Sequence, residues 1–300
     1  MAYSGPIVDP HMHLWDLDRH YYAWLQDRPL PHNPAGDTSG IAFKSFGLDD
    51  YLAETRGWNV VQTVHVECGL PPKDQLSETD WLQSIADRRG FPHGIVAGAC
   101  LERADVEPLL EAHAARRNVR GVRQIVNWHP DPLKTYVARD LLQDPAWRRG
   151  FGLLARHGLS FDLQLYPTQM FRAAKLAADH PHTPIIVNHA GMPTDRDEAG
   201  LALWATGMDA LAAQPNVSVK ISNLGGVDPA WSAASIETSV HQLLDYFGVE
   251  RVMFASNFPV DRVHGAFGQH MAAFDYAARG LTMGERQALF ADNAARIYRL

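Results

Sequence analysis

Ile7-Val8-Asp9-Pro10-His11-Met12-His13 is a short apolar run that ends in His-x-His close to the start of the chain. Strand residues i and i+2 face the same way, so His11 and His13 project side by side from the C-terminal end of a strand. Two neutral imidazoles on one rigid edge make half of a metal site. Two surface histidines after a strand would look the same in isolation. Position favours the metal reading: the motif closes the first strand of a series, and polar groups close several later ones.

Moving outward, Val60–Glu67 reads as the second strand, Ile95–Cys100 as the third and Gly121–Val126 as the fourth. Ser160–Leu165, Pro184–His189, Asn216–Ser222 and Arg251–Asn257 follow as the fifth to eighth, with Ile185, Val187 and His189 as the inward set of the sixth. Helical patterns separate them. They lie at Gly47–Arg56, from a Ser77/Asp80 capping box to Arg89, and at Asp105–Arg117. Others run from the Asp144-Pro145 N-cap to His157, then over Thr168–Asp179, Glu198–Ala213, Pro229–Phe247 and Gly265–Arg279. A last one starts at a Thr282/Glu285 capping box. Strands alternating with helices predict parallel pairing through crossovers. Eight such units in 300 residues fit a (β/α)8 TIM barrel better than an open sheet. No composition break divides the chain, so residues 1–300 read as one domain. No Gly-rich phosphate loop follows the first strand, which argues against dinucleotide binding. The aromatic, proline-rich segment from Leu14 to Phe46 has no periodicity. It is either a functional loop or a flap over apolar surface.

Composition narrows the function classes. Hydrophobic content of 46% and charged content of 20% are those of a globular protein. The net charge is −7 with no basic block, which removes electrostatic support for nucleic-acid binding. No apolar run approaches the ~20 residues a bilayer span needs, and the first residues lack a signal-peptide pattern. Two cysteines make no disulfide framework. The expectation is a cytoplasmic protein acting on a small molecule, without nucleic-acid or membrane partners; a homo-oligomer stays open.

TIM-barrel sites are built at the C-terminal strand ends. Read in order, those ends carry His11 and His13, His65 and Glu67, Arg123 and Gln124, Gln164, His189, Lys220 and Ser222, and Asn257. Each has a structural explanation alone: His65 as a bonded core residue, Arg123 as half of a wall ion pair, Asn257 as a turn cap before Pro259. Together they read as a site.

With His-x-His at the first strand, Val187-Asn188-His189-Ala190-Gly191 at the sixth and Phe254-Ala255-Ser256-Asn257-Phe258-Pro259-Val260-Asp261 at the eighth, the chain resembles the amidohydrolase superfamily. The similarity is to the amidohydrolase-related branch of metal-dependent TIM-barrel hydrolases, which includes pyrone-dicarboxylate lactonase and fuconolactonase. It extends from Asp9 to Tyr298. It implies His11 and His13 as metal ligands, His189 as a ligand or a group polarising the substrate carbonyl, and Arg123 as a substrate-binding residue. The family's eighth strand usually ends in an aspartate that activates water, and here Asn257 stands in its place. Asparagine offers a carbonyl oxygen but cannot accept a proton as a general base. Gln164 replaces a fifth-strand histidine, and no fourth-strand lysine bridges two metals, so a binuclear site is not expected.

The resulting expectation is a lactonase opening a small cyclic ester of a sugar acid or an aromatic-degradation intermediate. One divalent ion, zinc first and manganese second, would sit on His11, His13 and His189; metal-free operation is the alternative. Glu67 is the expected base, with His65 and Asp261 behind it. His189 and Asn257 complete the catalytic set. His65, Arg123, Gln164 and Lys220 would bind substrate. The rivals are a non-oxidative decarboxylase of an aromatic acid and a small-molecule binder without turnover.

Overall fold

The structure, a computed structural model, describes residues 3–34 and 36–300. Its eight strands form one sheet in sequence order: β1 Ile7–Met12, β2 Val60–Val66, β3 Gly94–Gly98, β4 Val119–Arg123, β5 Ser160–Leu163, β6 Ile185–Val187, β7 Val217–Ile221 and β8 Val252–Phe254. Every neighbouring pair from β1–β2 to β7–β8 is parallel. The expected (β/α)8 barrel is the observed fold. Its principal helices are α1 Leu48–Glu54, α2 Gln75–Arg89, α3 Val106–Ala114, α4 Pro145–Phe151, α5 Met170–Asp179, α6 Glu198–Ala212, α7 Ala233–Phe247 and α8 Phe267–Ala277. At the C-terminus α9 (Met283–Gln287) and α10 (Asn293–Tyr298) are joined by a π-helical turn. Among the described residues no helix is long and apolar enough to cross a membrane.

Closure depends on one buried carboxylate. Asp9 of β1 accepts from the Ser256 amide (3.0 Å) and hydroxyl (2.5 Å) beyond β8, and from the Tyr51 hydroxyl of α1 (2.7 Å). Burial raises the Asp9 pKa, and these donors oppose the rise. Two backbone bonds complete the seam: Asn257 N–H to His11 O (2.8 Å) and His13 N–H to Phe258 O (2.7 Å).

The barrel interior is stratified. Val8, Val64, Val66, Val96, Ile186 and Met253 pack against Ala291, Ala294 and Tyr298 of the C-terminal segment, which plugs the barrel. Beside this layer lies an ion pair, Lys220 Nζ to Asp162 Oδ2 at 2.5 Å, with both side chains fully buried. The Tyr298 hydroxyl donates to the same carboxylate (2.8 Å). A larger apolar cluster fills the space between strands and helices.

The sequence reading needs correction at three points. In β6 the barrel-facing residue is Ile186, whereas Ile185 and Val187 join the outer cluster; a strand apolar on both faces carries no alternation to show which side is which. The helix expected at Ser77 begins at Gln75, and Ser77 Oγ donates to the Asp74 carbonyl rather than forming a capping box. The helix expected at Pro229 starts at Ala233, where Ser232 caps the Ser235 amide. The Asp144 cap and the Thr282/Glu285 box form as expected.

The long segment after β1 is ordered by specific bonds. Trp15 and Phe46 pair in both directions (3.0 and 2.9 Å), Trp24 Nε1 donates to Cys68 O (2.9 Å), and the Tyr22 hydroxyl donates to Glu78 Oε1 (3.0 Å). It buries Trp15, Tyr22 and Leu25, and it also lines the cavity described below. The flap over apolar surface is therefore the reading these contacts support.

Replacing Ser256 by Ala removes one donor from Asp9 and the acceptor of the Phe258 amide (3.1 Å). We expect a loss of about 1–3 kcal/mol, read as a lower urea midpoint. Glu78 gives a pH-dependent counterpart: burial, then the charge of Glu67, raises its pKa from 4.5 to about 8. The folded state binds this proton more tightly than the unfolded chain, so the contribution is complete below about 4.5 and lost as pH rises through about 8. Asp261, pushed to about 8 by burial, acts in the same window. These two carboxyls each contribute a downward slope of stability with pH, and Glu78→Gln should remove the Glu78 share, read as the wild-type-minus-variant difference in denaturation measured across pH.

Candidate active site

At the C-terminal ends of the strands opens a cavity of about 410 Å³ lined by His13, Glu67, Arg123, Gln164, His189 and Asn257. Of the residues expected from sequence, these six reach it. His11, His65 and Lys220 do not line it; all three are fully buried. His65 Nε2 bonds to the Leu14 carbonyl (3.1 Å), and burial lowers its pKa to about 3. It is a core histidine rather than a substrate contact. Lys220 is likewise no substrate contact, because its ammonium is spent on Asp162 inside the barrel.

Arg123, the last residue of β4, is held rigidly. Its Nε donates to Glu67 Oε1 (2.7 Å), its Nη2 to the Glu67 carbonyl (2.7 Å) and its Nη1 to Gln164 Oε1 (3.3 Å). A guanidinium has five N–H bonds, so one remains on each terminal nitrogen. The second Glu67 oxygen accepts from the Gly69 amide (2.6 Å). Both oxygens of the carboxylate expected to act as base are thus engaged, and Glu67 positions Arg123 instead.

Opposite in character is the His13–Asn257 pair. His13 Nδ1 bonds to Val66 O (2.7 Å) and its Nε2 stands 3.2 Å from Asn257 Oδ1. Asn257 Nδ2 donates to Asp261 Oδ1 (2.8 Å), which orients the amide with its oxygen toward His13. Burial, then Arg123 and His65, lowers the His13 pKa well below 6.5, so the ring is neutral. Its single hydrogen serves Val66 O, leaving the Nε2 lone pair beside the Asn257 oxygen. Two acceptors face one another with no hydrogen between them.

His189, two residues past β6, lies in the left-handed region (φ 55°), as do Asn223 after β7 and Asn257 after β8 (both φ 56°). All three line the cavity. Such backbone is uncommon for non-glycine residues, and His and Asn are among those that tolerate it. Where it clusters at a cavity it marks a functional region. His189 Nδ1 is 2.8 Å from Ser222 Oγ, and burial, then Arg123 and Lys220, lowers its pKa. Asn223, Tyr136, Thr135 and Cys68 also line the cavity and were not foreseen. The aperiodic stretch after β4 and the Asn223-Leu224-Gly225-Gly226 turn were the available signals.

The histidines expected to hold a metal stand together: ring centroids are 5.0 Å apart for His11–His13 and 4.8 Å for His11–His189. Their donor atoms do not form a chelating set. Among the described residues no group of three or more His, Cys, Asp or Glu side chains is disposed to hold a metal ion. Among the described residues the buried His11 Nε2 has no partner, which would suit a ligand, but Lys220 Nζ lies 3.4 Å from Nδ1. An ammonium only donates, so Nδ1 accepts and the hydrogen of neutral His11 sits on Nε2. The carboxylates of Glu67 and Asp162 are already paired, to Arg123 and to Lys220. The residues as arranged do not fit the expected divalent ion.

Comparison with known proteins places this geometry. The profile of the amidohydrolase family Amidohydro_2 matches residues 8–300. The uncharacterized protein y4mH of Sinorhizobium fredii is 44% identical over 295 residues, covering 98% of each chain. L-fucono-1,5-lactonase of Burkholderia ambifaria is 26% identical over 301 residues, covering 98% of this chain and 95% of its own. A crystal structure of an amidohydrolase from Burkholderia multivorans with bound zinc superposes with a TM-score of 0.81 at 24% identity, over 99% of this chain and 100% of that one. With the profile spanning nearly its whole length, the chain belongs to the amidohydrolase family.

Proposed function

We propose that the protein is a hydrolase opening a small lactone that carries a carboxylate or several hydroxyl groups, and that it works without a bound metal. The observation that carries this reading is the pairing, in one cavity, of the neutral His13 acceptor with the fixed Arg123 guanidinium. The L-fucono-1,5-lactonase name of a relative supports the lactone class.

A water seated over the pair from the cavity side, donating one hydrogen to His13 Nε2 and the other to Asn257 Oδ1, bridges the two acceptors and turns its own lone pair toward the cavity. As the water oxygen bonds to the lactone carbonyl carbon, Nε2 takes its proton. Arg123 and His189 stabilise the negative charge developing on the carbonyl oxygen. The ring C–O bond then breaks, and the leaving alkoxide takes the proton back from His13. One lactone and one water give one hydroxy acid. The depressed His13 pKa makes it a weak base, present in the free form throughout the neutral range, and a lactone is an activated ester that asks little of its base. The free N–H bonds of Arg123 suit a carboxylate or hydroxyl of the substrate.

Two experiments test this. Protein stripped with a chelator and freed of metal should retain its lactone turnover. Stoichiometric metal whose removal abolishes activity and whose return restores it would overturn the metal-independent reading. His13→Gln should lower kcat about 10²–10⁴-fold with KM little changed. Glu67→Gln, which loosens Arg123, should mainly raise KM. The reverse split, with kcat lost in Glu67→Gln and kept in His13→Gln, would return the base to Glu67.

A further inference from the structure

We infer that Lys220 is a positioning residue that holds His11 as an Nε2–H donor and thereby closes the histidine cluster to divalent metal. This deepens the metal-independent reading above. It starts from Asp162, a carboxylate fully buried in the barrel. Its oxygens receive the Tyr298 hydroxyl (2.8 and 3.0 Å), Asn188 Nδ2 (3.0 Å) and Lys220 Nζ (2.5 Å). Every partner is a donor, so Asp162 acts only as an acceptor, and Lys220 is its ion-pair partner. Tyr298 also lies under the ammonium, with its ring centroid 5.0 Å from Nζ. Lys220 is thus fixed on two sides, and it is also 3.4 Å from His11 Nδ1.

His11 is fully buried. With Lys220 Nζ directed at Nδ1, that nitrogen presents its lone pair, and the ring carries a single hydrogen. Nδ1 accepts from Lys220, and the hydrogen is on Nε2, where no partner among the described residues answers it. A metal ligand must present a lone pair. For His11 to bind through Nε2, its hydrogen would have to move to Nδ1 and meet an ammonium, donor against donor. A dication would also enter a region already holding the cationic side chains of Lys220 and Arg123. The His-x-His motif therefore persists in a setting that denies one of its rings to metal.

Zinc binding, measured apart from turnover, tests the inference. Chelator-treated wild-type protein, Lys220→Met, and the double variant Lys220→Met/Asp162→Asn would be titrated with zinc by calorimetry, with metal content checked after desalting. The double variant leaves no unpaired buried carboxylate. Wild type should retain no stoichiometric zinc. The variants should bind one equivalent at least about 100-fold more tightly, and adding His11→Ala should abolish the gain. Long-range ¹H–¹⁵N spectra of wild type should show the His11 hydrogen on Nε2. Stoichiometric zinc in wild type that His11→Ala removes, a folded double variant with no gain, or a hydrogen found on Nδ1 would each overturn the inference. If the variants fail to fold, the wild-type spectrum decides alone. A wild type that binds no zinc and opens no lactone leaves this inference standing and removes the lactonase reading.

Discussion

An eight-stranded parallel sheet has two open edges unless its first strand reaches its last, and here that contact is made by Asp9. Its carboxylate gathers the amide and hydroxyl of Ser256 and the hydroxyl of Tyr51. The backbone then zips from His11 O to the Asn257 amide and from the His13 amide to Phe258 O. These same contacts bring His13 Nε2 to 3.2 Å from Asn257 Oδ1. Closure of the fold and assembly of the acceptor pair are one event. A change that loosens the seam would misplace the site before it unfolded the barrel.

The second constraint is charge inside the barrel. Two ion pairs are buried there, Lys220–Asp162 at 2.5 Å and Arg123–Glu67 at 2.7 Å. Burial of ions is costly unless pairing and extra hydrogen bonds compensate, and both pairs have such bonds: Tyr298 and Asn188 on Asp162, Gly69 on Glu67, Gln164 on Arg123. Burial, and then the two cations, lower the pKa of His11 and His189. A field that disfavours imidazolium also disfavours a dication and favours an anion. It suits a developing oxyanion or a substrate carboxylate.

The fold was legible because the barrel repeats itself: eight apolar runs separated by helical patterns needed no single assignment to be right. The site was legible only in outline. Parity along a strand tells which residues share a face, not how deep they lie or what they touch. Lys220 and His65 end up beside other protein groups rather than the cavity for that reason. Glu67 reaches the cavity, but its pairing with Arg123 crosses from β2 to β4, a contact no local pattern records. At β6 the difficulty was different. Ile185, Ile186 and Val187 offer no alternation, and His189 leaves the strand in a left-handed turn that breaks parity altogether.

Asn257 is where the chain departs from its family's pattern, and the structure gives the departure a physical sense. A carboxylate there would present two equivalent acceptors to Asp261, whose own carboxyl burial already pushes to about 8; two such groups in contact resist ionisation. An amide is directional. Its nitrogen donates to Asp261 Oδ1 at 2.8 Å, and this leaves its oxygen no choice but to face His13. The substitution thus gives up a proton acceptor and gains an amide oxygen fixed beside the His13 ring. In the proposed mechanism proton acceptance then falls to the imidazole, whose other nitrogen is oriented by Val66 O.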